Sequence, residues 1–439
     1  MMKFFLYIFF MIFMFLINKF LNIYFFIFLL LILFFLFFLT INNNWFFIYM
    51  NFGFDYFSFM LLLLTLLIIS MMFLLMKNMN KIFYFMIFML MFFLLLSFMT
   101  LNLFMFYLFF EVSLLPTFFL IFGFGYQFER LNASMYMLMY TLFFSLPFML
   151  VIIMIFEEFN LMSFILLNNL ILSNNDWMFL MIIFMFMGFL VKLPLFLIHI
   201  WLPKAHVQAP VVGSMILAAV MLKLGGYGIF RILDLLILDE LMDFFMMVGL
   251  LGMIFLSMHC LRQYDMKIIV AYSSVVHMGM MLIGLLSETC WGIKGGVLMM
   301  LGHGLCSSAL FMLVNFIYER SKSRNMLINK GMIYFLPSLM LFWFLFCVNN
   351  MAAPISLNLL SEIMIINVIF DWNYFIIFML LLGMFFSASY NLYLFSYIFH
   401  GVYNYYLMKI FNIKVKYYYL LMLHFIPLNL LILKMNFLI

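Results

Sequence analysis

An all-α polytopic membrane protein is the fold class this sequence predicts, and three observations predict it. Hydrophobic residues make up 70% of the 439 positions and charged residues 8%, whereas soluble domains carry about 25% charged residues. Mean hydropathy is +1.30. Apolar windows of about 17 to 25 residues, the length that crosses a hydrocarbon core, recur from end to end. The polar stretches between them are too short for a soluble unit, so one membrane domain over 1–439 is expected.

The windows give about 14 transmembrane helices. Spans 4–17 and 21–39 are Phe, Leu and Ile runs parted by Asn18 and Lys19; no small-residue cleavage site follows the first, which reads as a retained helix. Spans 55–76 and 82–100 flank Lys77 and Lys81, span 102–122 encloses Glu111, and span 134–156 stops at Glu157 and Glu158. Span 178–202 holds Lys192 and ends at Pro203, and span 211–231 holds Lys223 beside Gly225 and Gly226. Spans 244–257, 268–286, 295–318, 332–370, 373–397 and 417–433 complete the chain; the first and ninth spans are short.

Two spans are expected to be discontinuous. Region 332–370 would be about 58 Å long as one helix at 1.5 Å per residue, too long for a core of about 30 Å. Pro354, after Asn349 and Asn350, supplies the break, because proline removes a donor and disfavours helix at the residue before it. Pro194, just beyond Lys192, acts in the same way. Unwound backbone at membrane depth is tolerated where protein or a wet cavity receives its polar groups, and paired broken helices point to internal repeats. The two broken spans stand five apart, so two inverted five-helix repeats are expected, at about 82–231 and about 244–397.

Charge is distributed unevenly about this topology. Loops on one side carry fourteen basic residues, among them Arg130, Lys204, Arg262, Lys267 and Arg324, against Glu129, Asp265 and Glu319. The other side carries four basic residues against ten acids, including Asp234, Asp239, Glu240 and Asp243. Positive loops stay on the matrix or cytoplasmic side, so both termini are expected opposite. The same asymmetry accounts for the formal charge of +5 without nucleic acid. Cys260, Cys290, Cys306 and Cys347 show no C-x-x-C spacing, and no dinucleotide or P-loop motif is present. The abundance of Phe and Met, at 67 and 49 residues, suits A/T-rich codons and a code that reads ATA as methionine, which suggests translation in an animal mitochondrion.

Ionisable residues within apolar spans are expensive and are functional candidates by default. Glu111, Lys192, Lys223 and Glu362 are the four here, two acids and two bases that suggest a proton or ion path. Glu111 has apolar flanks on both sides and needs a partner, for which Lys192 is the choice; the alternative is a static pair locking two helices. Lys223 sits among small residues that admit water, and desolvation favours its neutral amine; otherwise it bonds to carbonyls of a broken helix. Glu362 follows the Pro354 break as the second-half counterpart. His277 and His303 lie within spans and are candidate relays, with satisfied core histidines as the alternative. His199 and His206, near a span end and its loop, are weaker candidates, and His259, His400 and His424 receive no role.

These segments resemble a known family. KLPLFLIHIWLPKAHVQAP at 192–210, Gly213-Ser214, KLGGYG at 223–228, FEVSLLP at 110–116, AYSSVVHM at 271–278, GHG at 302–304 and NLLSE at 358–362 resemble the antiporter-like membrane subunits of mitochondrial NADH:ubiquinone oxidoreductase, respiratory complex I. The wording is that of the subunit 4 family rather than of subunits 2 and 5. The first hundred residues match weakly. The resemblance implies a fourteen-helix antiporter-like fold in the mitochondrial inner membrane, with Glu111, Lys192, Lys223 and Glu362 on a polar axis along the membrane plane. It further implies proton translocation driven by electron transfer in partner subunits. Those partners, other membrane and peripheral subunits, would hold NADH, FMN, iron-sulfur clusters and ubiquinone, with no cofactor or metal in this chain. Two other readings are a subunit of a multisubunit cation/proton antiporter and a membrane scaffold whose charged pairs only fasten helices.

Overall fold

The computed structural model describes residues 45–76, 80–167, 176–233, 239–374, 376–403 and 413–434; the expected spans 4–17 and 21–39 lie outside these. A short antiparallel hairpin, β1 (Phe46–Tyr49) and β2 (Phe52–Phe54), comes first. The helical expectation did not include it. It forms in an aromatic-rich stretch before span 55–76, with Met50 turning the chain at φ 51° beside Asn51.

Asp55 then starts α1 (Tyr56–Leu75) through a capping box with Ser58, each satisfying the other's backbone N–H. α2 (Lys81–Met99) follows, and then one kinked span made of α3 (Leu103–Val112) and α4 (Leu114–Phe124). Pro116 explains the kink, because it has no N–H to offer the Val112 carbonyl four residues earlier. α5 (Arg130–Phe159) is a 30-residue helix with Pro147 inside it.

α6 (Asp176–Lys192) stops just before Leu193 and Pro194, and the chain makes irregular turns until α7 (Trp201–Gln208). The break at Pro194 is therefore present, but Pro203 does not close the span as expected. It sits in the first turn of α7, where a missing N–H is harmless, and so His206 is helical and fully buried rather than in a loop. α8 (Val211–Ile216), a π-helical turn at Leu217–Met221 and α9 (Leu222–Ile232) form one continuous, wholly buried 22-residue span.

The remaining helices are α10 (Asp239–Cys260), α11 (Met266–Leu286), α12 (Cys290–Ser321), α13 (Pro337–Asn350), α14 (Leu357–Trp372), α15 (Ile376–Phe399) and α16 (Val415–Leu430). α13 and α14 are the two halves of the second broken span, parted at Met351–Ser356, with Ala352 at φ 56° and Ile355 at φ 69°. Ten helices among the described residues are long and apolar enough to cross a membrane.

The chain divides into two compact units, one of residues 1–192, 208–213 and 223–238, the other of residues 193–207, 214–222 and 239–439. The core of the first is an aromatic cluster: Phe189 of α6 lies 4.8 Å from Phe148, 5.5 Å from Phe110 and 6.0 Å from Phe106 between ring centres. Tyr227 of α9 joins it through Phe106 at 5.7 Å. In the second unit α10 packs on α11, α11 on α12 and α12 on α14. Several contacts join chain ends that alternation of the spans puts on one side: Asp55 with Arg231, Asn102 with Ser163 and Glu129 with Gln208 in the first unit, and Asp265 with Asn325 in the second.

Candidate functional site

The kink after α3 and the end of α6 create the charged site of the first unit. Near the kink, the Phe110 carbonyl accepts from the Ser113 hydroxyl at 2.7 Å and from Lys192 Nζ at 2.6 Å. The same ammonium lies 2.9 Å from the centre of the Phe110 ring. Its distance to Glu111 Oε1 is 3.8 Å, with the two side chains 3% and 15% exposed. A direct charge-assisted hydrogen bond is about 2.7 to 2.9 Å long. Lys192 is thus held by a neutral carbonyl and a ring, and it feels Glu111 through space. Glu111 can change its charge without Lys192 losing its seat. Ser145 of α5 and Tyr107, one turn earlier on α3, stand beside the carboxylate.

Lys223 occupies the first turn of α9 and is fully buried. The π-helical turn just before it went unforeseen from the sequence; such turns are frequent at functional sites because they widen the helix locally. Tyr227 and Arg231 follow at four-residue intervals on the same face. Tyr227 donates its hydroxyl to the Phe98 carbonyl at 3.1 Å, and Arg231 Nη2 donates to Asp55 Oδ1 at 2.6 Å.

In the second unit Glu362 is buried on α14, two turns past the broken stretch. Side chains caulk that break. Asn358 donates to the Asn349 carbonyl at 2.9 Å, Asn350 donates to Asn391 Oδ1 of α15 at 2.9 Å, and Cys306 of α12 lies 3.4 Å from the Phe346 carbonyl. This is how unwound backbone survives in an apolar setting. Gly302 makes the approach possible, since a Cβ there would sit 2.2 Å from Asn358 Oδ1. His277 and His303, on α11 and α12, are both buried with ring centres 5.4 Å apart. His206 stacks on Phe311 at 4.8 Å, and His199 lies against Phe196 at 5.8 Å and Tyr272 at 6.1 Å.

The structure therefore joins Glu111 to Lys192 and His277 to His303. Lys223 belongs to the first unit and Glu362 to the second. Three groups escaped the sequence reading. Lys267, read as a loop charge, is a buried helical residue that shares the Val207 carbonyl with Arg324, at 3.2 and 2.9 Å. Asp55 and Arg231, at the ends of spans 55–76 and 211–231, form a buried ion pair. Tyr227 was quoted only within a motif. Nothing in spacing marks a terminal charge as buried, because its partner comes from a distant span.

Comparison with known proteins places these residues in context. Residues 100–387 match the family described as NADH:quinone oxidoreductase/Mrp antiporter, TM. The chain is 46% identical over 390 residues to NADH-ubiquinone oxidoreductase chain 4 of Ceratitis capitata, covering 87% of this chain and 86% of the relative. It is 50% identical over 333 residues to the Aedes aegypti protein of the same name, covering 75% and 74%. In fold it is similar to a chain of respiratory complex I from Thermus thermophilus with bound NADH, at TM-score 0.79 and 21% identity, covering 86% of this chain and 81% of that one.

Proposed function

Because this chain belongs to the NADH-ubiquinone oxidoreductase chain 4 family, we propose that Glu111, Lys192, Lys223 and Glu362 are its proton-handling residues. The protein is a multi-pass membrane subunit of respiratory complex I, is involved in proton translocation, and has the other subunits of that complex as partners. It works in the mitochondrial inner membrane with both termini in the intermembrane space. NADH, FMN, iron-sulfur clusters and ubiquinone act in partner subunits, and this chain converts their electron transfer into proton movement.

The observation that carries this reading is the loose pair of Glu111 and Lys192. At 3.8 Å and an effective dielectric near 20, two unit charges attract by about 4 kcal/mol. Protonating the carboxylate switches off that attraction, while the Phe110 carbonyl keeps the nitrogen in place. A charge change arriving from a neighbour is thereby translated into proton release at the lysine. His277 and His303 are close enough to pass a proton through one bridging group, with His199 and His206 as lesser relays. Glu362 stands beside the second break as Lys192 stands beside the first, which supports two repeats at about 82–231 and 244–397.

The test is Lys223→Met in the assembled complex reconstituted in vesicles, reading NADH oxidation and internal acidification together. Acidification is expected to fall well below wild type while the complex assembles and oxidises NADH. Full pumping with reduced assembly would instead support the scaffold reading. Native assemblies of small size, lacking NADH-oxidising activity, would support a cation/proton antiporter.

A further inference from the structure

A proton-loading lysine is useful only if protons released toward the far side cannot run back to it. The polar groups beyond Lys223 on its own helix address that requirement. Lys223, Tyr227 and Arg231 recur every four residues on one face, which puts Arg231 about 12 Å further along at 1.5 Å per residue. The guanidinium is fixed from several directions. Its Nη2 is 2.6 Å from Asp55 Oδ1, and its centre lies 4.3 Å from the Trp45 ring, 4.6 Å from Tyr227 and 5.3 Å from Phe230. Arg231 and Asp55 are both buried.

Asp55 is itself immobile. Its Oδ1 also accepts the Ser58 N–H at 3.0 Å as the cap of α1, so the arginine is tied to the start of another helix. Tyr227 holds its hydroxyl on the Phe98 carbonyl, and the group stacked against its ring is the cation of the pair, not the carboxylate. Arg231 Nε is buried with no hydrogen-bond acceptor among the described residues.

We propose that Arg231, pinned by Asp55, is a fixed-charge seal at the end of the Lys223 helix that blocks proton return to Lys223. Guanidinium is never deprotonated in proteins, so it cannot relay a proton; what a caged arginine does in a narrow polar route is repel protons and cations. By alternation of the spans the ion pair falls on the same side as Glu157 and Glu158 at the end of α5, where returning protons would gather. The inference rests on the proton-translocating role of Lys223 proposed above.

The experiment uses the whole complex in vesicles containing a pH dye, with NADH withheld and an acid step applied on the Arg231 side. Arg231→Gln is expected to raise passive proton entry by about tenfold, the factor in rate that a barrier lowered by about 1.4 kcal/mol gives. Asp55→Asn is expected to leak no more than wild type, because asparagine still caps α1 and the cation remains. A packing lock predicts the contrary, with both variants leaking alike or neither leaking, and either result overturns the seal. If Arg231→Gln does not assemble, the Asp55→Asn, Arg231→Gln double variant, which replaces the ion pair by two neutral amides, must leak in its place. Adding NADH to the wild-type vesicles separates the premises: no acidification removes the proton-translocating role, whereas normal acidification with equal leaks removes only the seal.

Discussion

Gly228 offers the sharpest test of how the Lys223 helix is seated. A Cβ built there would lie 2.3, 2.4 and 2.9 Å from three ring atoms of Phe189. Ordinary van der Waals contact begins at 3.4 Å, so the ring must retreat by about an ångström. It has nowhere to go, because Phe106, Phe110 and Phe148 surround it. Overpacking of this kind costs about 1 to 3 kcal/mol. Alanine in place of a helical glycine returns up to about 1 kcal/mol, so Gly228→Ala is expected to be neutral at best and destabilising in the main. Gly123→Ala is the control, because a Cβ on that face of α4 meets nothing within 4 Å and keeps only the gain. The assay is the thermal denaturation midpoint of the assembled complex together with its NADH-driven proton pumping. Gly228→Ala should lower both, since the displaced rings include Phe110, whose carbonyl seats Lys192, and adding Phe189→Leu should restore them. Equal behaviour of the two alanine variants, or no rescue by Phe189→Leu, would refute the argument.

Three further outcomes are expected. Lys192→Met should reduce assembly by leaving Glu111 buried without its cation, a loss of about 3 to 5 kcal/mol; Glu111→Gln added to it should recover some of that assembly but not the pumping, as a double-mutant cycle on complex yield and acidification would read. Asn391→Leu strips Asn350 of its acceptor beside the second helix break and should cost about 1 to 3 kcal/mol, seen as a lower denaturation midpoint; an unchanged midpoint would mean the break is held otherwise. Burial alone would raise the Asp55 carboxyl, but the Arg231 guanidinium and the Ser58 bonds outweigh it and hold it below its ordinary 3.8. Its stabilisation is therefore present above that value and lost only as pH falls through the depressed one. In Arg231→Gln burial remains without the cation, the sign reverses, and stability should rise as pH is lowered from neutral; residual activity after heating, measured against pH, checks it.

How far the sequence carries depends on the kind of residue. Lys192, Lys223, Glu111 and Glu362 stand out without coordinates, because an ionisable residue inside a span long enough to cross a membrane is costly and is a functional candidate by default. The breaks at Pro194 and Pro354 are equally legible, since proline acts on its own neighbours. Pro203 shows the limit of that rule: the same residue ends a helix or begins one, and only the turns of 193–200 that precede it decide which. The π-helical turn before Lys223 depends on packing and left no local mark, whereas the kink at Ser113 follows from Pro116, a local signal the sequence reading passed over.

Composition and spacing by themselves determined that this is a membrane protein of many helices, two of them broken, with four charges buried along it. A hydrophobic window needs only its own residues to be apolar, so it can be read in isolation. Tertiary structure alone decided that Lys192 rests on the Phe110 carbonyl and ring rather than on Glu111 itself. It alone decided that Asp55 meets Arg231, and that four asparagines and Cys306 close the second break. Each of those contacts joins residues far apart in the chain, and the free energy of such a contact exists only once the intervening helices have packed.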